Sequence, residues 1–85
     1  MFYRIITEDK NRVRIESWVG IFFDGFTVYP ARGYWKGKRE NSLIIEIDIS
    51  PDDPKRVFML VDALKYINHQ EAVLVQAIPC TNTLV

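Results

Sequence analysis

The segment Ser42 to Ile49 constrains this chain more than any other. Leu43, Ile45, Ile47 and Ile49 alternate there with Ser42, Ile44, Glu46 and Asp48. A period of two marks a β-strand with one apolar row, and a strand needs neighbours to satisfy its backbone. Those neighbours lie in the same short chain. Phe2 to Thr7 is β-branched and aromatic, and turn-prone Glu8–Asn11 follows it, so it reads as a first strand. Phe26 to Trp35 reads as a second strand, and Pro30 confines it to a sheet edge or a bulge. Gly33 through Asn41 reads as a polar, basic turn before the alternating third strand. Ala72 to Ile78 is a fourth strand, stopped by Pro79.

Between these strands the period changes. Ile15, Trp18, Val19 and Phe22 stand at i, i+3, i+4 and i+7, the stripe of a helix from Asn11 to about Phe23, with Asp24-Gly25 as its stop. Ser50-Pro51-Asp52-Asp53-Pro54 offers a Ser or Asp cap and a first-turn proline. Val57, Leu60, Val61, Leu64 and Ile67 then give the buried stripe of a second helix ending near Asn68. The order β-α-β-β-α-β with right-handed crossovers implies an α+β, ferredoxin-like single domain over residues 1–85. Its four-stranded antiparallel sheet carries both helices on one face, with the second and fourth strands at opposite edges.

Helices cover one face of such a sheet. On the other, the last strand offers Ala72, Leu74 and Ile78, and the first offers Phe2 and Ile6. A solvated face alternates with polar residues, so this face implies sheet-to-sheet packing of subunits, or cover by the tail Cys80–Val85.

Composition narrows the function. The 85 residues hold 11 Lys+Arg and 11 Asp+Glu, so the net charge is zero where a duplex-binding protein would be basic. Hydrophobic residues at 48% argue against disorder. No apolar run approaches the roughly 20 residues of a membrane span, and the start enters at once a strand-like run carrying Arg4. No nucleic-acid or membrane partner is expected, and a single cysteine, Cys80, suits a cytoplasmic setting.

Neither a phosphate-binding glycine loop nor a metal-ligand cluster is present, and no cofactor or metal is expected. The lone His69 ends the second helix, where an imidazole interacts with the helix dipole. The informative stretch is Tyr29 to Ser42, which gathers Tyr29, Arg32, Tyr34, Trp35, Lys36, Lys38, Arg39, Glu40 and Ser42. Aromatic faces attract organic cations and stack on purines, while Arg and Lys hold carboxylate or phosphate. The stretch suits a zwitterionic or nucleotide-like ligand; from residue types alone, a solvated hairpin is the plainer reading. Glu71 opens the fourth strand. Strand order separates it from Glu40 within one subunit, so a shared cleft is expected only between neighbouring subunits.

Gly33-Tyr34-Trp35, then Glu40-Asn41-Ser42 leading into the alternating strand, with Gln70-Glu71-Ala72-Val73-Leu74-Val75 after the second helix, resembles small phage-encoded S-adenosylmethionine lyases, historically called hydrolases. The resemblance covers roughly residues 26 to 78. It implies a PII-like fold, a homotrimer with sites between subunits, and cleavage of S-adenosylmethionine to methylthioadenosine and homoserine lactone. A related activity on the S-adenosylmethionine–AMP conjugate implies a phage counter-defence (anti-CRISPR) role in the host cytoplasm. Some members carry longer extensions, which leaves both substrates open.

By the same resemblance, Glu40, Glu71 and Tyr29 are the catalytic residues. Arg32, Tyr34, Trp35, Lys36, Arg39 and Ser42 would bind the substrate. The alternatives are a non-catalytic PII-like nucleotide binder, or sponge, and a protein-binding inhibitor. The short turn between the second and third strands argues against a PII sensor with its long loop there.

Overall fold

The computed structural model describes residues 1–81, 83 and 85. Its elements run β1 (Phe2–Glu8), α1 (Arg12–Phe22), β2 (Thr27–Trp35), β3 (Lys38–Asp48), α2 (Pro54–Asn68) and β4 (Leu74–Ile78). The strands form one antiparallel sheet in the order β2-β3-β1-β4, the ferredoxin-like arrangement expected from the order of periods.

Register fixes the faces. Tyr3, Ile5 and Thr7 of β1 stand opposite Ile47, Ile45 and Leu43 of β3, and all six are buried. Ile15 and Val19 of α1, with Val57, Leu60, Val61 and Leu64 of α2, cover this row and complete the core. Trp18 is half-buried and Phe23 takes a core position instead, because the chain leaves α1 in extended conformation there.

Side-chain caps start both helices. The Asn11 side chain accepts from the Arg14 amide, and the Asp53 side chain accepts from that of Arg56, with Pro54 opening α2. His69 ends α2 in the left-handed conformation at φ 53°. Its amide and that of Gln70 reach the carbonyls of Tyr66 and Lys65, filling acceptors a helix end leaves open.

The turn between β2 and β3 is shorter than expected. It comprises Lys36 and Gly37, both with positive φ at 50° and 77°. That is the geometry of a two-residue hairpin turn, whose twist matches that of the strands it joins. The ladder therefore claims Lys38–Asn41, opposite Trp35–Arg32, despite their charge. β1 ends at Glu8 opposite Ser42, so this last stretch is a two-stranded ribbon projecting past β1. Pro30 lies in β2, an edge strand, as its missing amide requires.

The face away from the helices carries Phe2 and Ile6, Ile44, and Leu74 and Ile78 in register across three strands. Leu74 is 55% and Ile78 41% exposed. The described tail residues are exposed and leave these side chains open; positions 82 and 84 of that tail lie outside the described residues.

Candidate functional site

A cleft of about 650 Å³ opens on this uncovered face, between the projecting ribbon and the connection from α2 to β4. The ribbon contributes Gly33, Tyr34, Trp35, Glu40 and Ser42. The connection contributes His69, Gln70 and Glu71, β4 contributes Leu74, and Ile6 and Glu8 of β1 lie between the two walls. Glu40 and Glu71 therefore line one cleft of a single chain. This corrects the expectation that they meet only across subunits. Strand order does separate β2 from β4, but Glu40 lies on the overhang of β3 and Glu71 precedes β4, so both curl past the end of β1.

The far wall is held by a polar network. Asn68, 2% exposed, brings its Nδ2 within 3.1 Å of Thr7 Oγ1, the Glu8 carbonyl and Gln70 Oε1. Gln70 Oε1 also accepts from the Thr7 hydroxyl and, at 3.2 Å, from the Glu8 amide. The Gln70 amide in turn donates to the Ala72 carbonyl. Lys10 Nζ donates to the Asn68 carbonyl at 2.6 Å and pairs with Glu8 at 3.2 Å. These bonds tie the segment carrying Glu71 to the end of β1. Sequence reasoning missed them. The available signal was Thr7 in phase with the inward Tyr3 and Ile5, and an Asn one residue past the apolar stripe.

The remaining predicted residues divide. Tyr34, Trp35 and Ser42 line the cleft with the two glutamates. Arg32, Lys36 and Arg39 do not, and among the described residues no lysine or arginine lines it. A basic wall is thus not part of this chain's own cleft. The cation of Lys36 instead lies 5.9 Å from the Trp35 ring.

Tyr29 stands outside the cleft as well. Its hydroxyl donates to Glu46 Oε2 at 2.9 Å, and Arg4 Nε donates to the same oxygen at 3.1 Å. The bond to the Glu46 carboxylate, helped by desolvation, raises the phenol above its ordinary pKa, so Tyr29 stays a proton donor at neutral pH. At the other end of this face, some loss of hydration and a bond to the Asp48 carboxylate raise the exposed Cys80 thiol, which disfavours its reactive thiolate.

Among the described residues, no group of three His, Cys, Asp or Glu side chains is placed to hold a metal ion. No helix among them is long and apolar enough to cross a membrane.

Neither a protein-family model nor a curated protein matches the chain. Solved structures do. A DUF3240 family protein from Shewanella baltica superposes with a TM-score of 0.66 at 14% identity, covering 99% of this chain and 94% of that one. A nitrogen regulatory PII-like protein from Thiomonas intermedia, bound to ADP, AMP and bicarbonate, gives 0.66 at 14% identity, with 98% and 93% covered. A phage S-adenosylmethionine lyase in its apo state gives 0.56 at 22% identity, covering 87% of this chain and 75% of that one. At these identities the likeness concerns the backbone. The chain has a PII-like, ferredoxin-like fold.

Proposed function

We propose that this chain is a lyase that cleaves S-adenosylmethionine or its AMP conjugate, acting as a homotrimer in a host-cell cytoplasm. The observation that carries the reading is the convergence of Glu40 and Glu71 on an aromatic-walled cleft without lysine or arginine among the described residues. Carboxylates facing aromatic rings suit an organic cation, and the likeness to a phage S-adenosylmethionine lyase lends support at the level of fold.

The chemistry asks little of the protein. The substrate's own carboxylate oxygen attacks its γ-carbon, and the bond from that carbon to sulfur breaks. The electron pair goes to sulfur, releasing neutral methylthioadenosine and leaving homoserine lactone. No proton moves in this step, so no histidine or cysteine machinery is needed. Carboxylate and sulfonium neutralise each other as the bond forms, and alignment with exclusion of water supplies the acceleration.

In this reading one glutamate binds the α-ammonium and folds the amino-acid portion, while Trp35 or Tyr34 stacks on the adenine. Tyr29 joins the site when open sheet faces of neighbouring copies meet, offering its hydroxyl to the substrate. Arg32, Lys36 and Arg39, outside the cleft of their own chain, would meet the phosphate of the AMP conjugate only from a neighbouring copy.

The test is incubation of the purified protein with each compound and mass spectrometry for methylthioadenosine. Glu40→Gln and Glu71→Gln should each lower turnover by about 100-fold, the scale of losing one pre-organised electrostatic contact. Full activity in both variants ends the proposal. A second reading, a non-catalytic nucleotide binder, draws on the likeness to the ADP- and AMP-bound PII-like protein; stoichiometric binding with both compounds returned intact would favour it.

A further inference from the structure

Ser42 as a residue is 7% exposed and its hydroxyl makes no hydrogen bond among the described residues, but that oxygen still reaches solvent, since no enclosed side-chain polar atom there lacks a partner. It lines the cleft. An open hydroxyl at the wall of a cleft is satisfied by water in the free protein and can exchange that water for a ligand. Gly33, its diagonal neighbour across the ladder, leaves the hydroxyl uncrowded. A Cβ on Gly33 would stand 2.7 Å from Ser42 Oγ, so any larger residue at position 33 would crowd the hydroxyl. Gly33 has no positive φ that calls for glycine. A side chain at position 33 would therefore compete with the Ser42 hydroxyl for the same space, whereas the backbone there does not call for glycine.

The surroundings define what fits. On this face Ala31 and Gly33 form a strip of low relief along β2, between Tyr29 and Trp35. Ser42 lies opposite Ala31, and Glu40 opposite Gly33. A flat ring can lie on that strip beside the Trp35 indole, with its polar edge at the Ser42 hydroxyl. A serine hydroxyl both donates and accepts, so it reads a ring nitrogen or an exocyclic amine equally well. Glu40 and Glu71 then flank a positive charge elsewhere on the same molecule.

We propose that Gly33 and Ser42 form a ligand-reading notch. It takes the polar edge of a flat heteroaromatic ring on an organic cation, with the Ser42 hydroxyl as direct hydrogen-bond partner. The proposal rests on the lyase reading for its location and for the probe, but it concerns binding and needs no turnover.

The experiment is titration calorimetry of the full chain with S-adenosylmethionine, its demethylated thioether S-adenosylhomocysteine, which loses the sulfonium charge but keeps the α-ammonium, and AMP. Ser42→Ala and near-isosteric Ser42→Cys should each weaken S-adenosylmethionine binding about tenfold, the scale of one hydrogen bond to a ligand. Their thermal midpoints should stay near wild type. Gly33→Ala should weaken binding at least as much, by filling the notch or turning the hydroxyl away. The thioether, without the sulfonium charge, should bind more weakly than the sulfonium, and AMP should give no saturable heat.

Binding by Ser42→Ala as tight as wild type overturns the proposal, as does AMP binding as tightly as S-adenosylmethionine or no binding of that compound at all. Binding that depends on Ser42 without any methylthioadenosine from S-adenosylmethionine or from its AMP conjugate supports the notch while refuting the lyase. Turnover that survives Ser42→Ala with unchanged affinity does the reverse.

Discussion

The side-chain amide of Asn68 lies 3.1 Å from the hydroxyl of Thr7, joining the last turn of α2 to the end of β1 across 61 residues of sequence. Neither residue touches water to any extent, and both belong to the network that fixes the wall carrying Glu71.

Asn68→Ala removes the donor shared by Thr7 Oγ1, the Glu8 carbonyl and Gln70 Oε1, although Gln70 Oε1 keeps its bonds from Thr7 and the Glu8 amide. A loss of about 1–3 kcal/mol follows from stranding buried polar groups. Urea denaturation measures it, and hydrogen exchange should show faster opening over residues 69–73 than elsewhere.

The hairpin turn offers a second check. Gly37 holds φ at 77°, a region costly for residues with a Cβ. Gly37→Ala should cost about 1 kcal/mol in stability. Lys36→Asn, with φ 50° at that position, should be neutral or mildly stabilising, since asparagine tolerates the left-handed region. Paired thermal melts of the two variants separate turn geometry from the loss of a surface charge.

Alkaline pH provides a third. Tyr3 is buried and donates to Asp52 Oδ1 at 2.7 Å. Burial first, then the bond to that carboxylate, push its pKa up to about 12, above the phenol value of about 10 in an unfolded chain. Between those values the folded chain keeps a proton that the unfolded chain has lost. The Tyr3 contribution is therefore complete below about pH 10 and falls away as pH rises toward about 12. Denaturation measured across that window should show the decline, and Tyr3→Phe should flatten it.

Leu60 is fully buried between the helices and the sheet. Truncation to alanine should cost about 2–5 kcal/mol, a large share of the roughly 5–15 kcal/mol available to a domain. Circular dichroism at 37 °C should show a substantially unfolded population.

Much of the fold was legible because hydrophobic period reports directly on which face is buried. Leu43, Ile45 and Ile47 announced β3, and Leu60 and Leu64 announced α2. Period carries no information where pairing overrides composition, so Lys38–Asn41 looked like turn while the ladder made them strand. The candidate site was half legible. Glu40, Glu71, Trp35 and Ser42 stood out by residue type. Their meeting in one cleft depends on how far β3 overhangs β1 and on where the α2–β4 connection turns, which are three-dimensional distances that strand order alone does not encode. Asn68 was read only as the end of a helix, since nothing adjacent in sequence marks its partner in β1.

The overhang of β3 also makes the two sides of the cleft mechanically unequal. One is anchored to the sheet through Asn68 and Gln70. The other is a two-stranded ribbon supported at its base alone, where small rotations at Asn41 and Arg32 grow toward its tip. Closure around a bound molecule would be a one-sided bending, carried by Trp35 and Glu40 while Glu71 stays still. Backbone relaxation on the microsecond scale should then concentrate in residues 33–40 and be quenched by ligand.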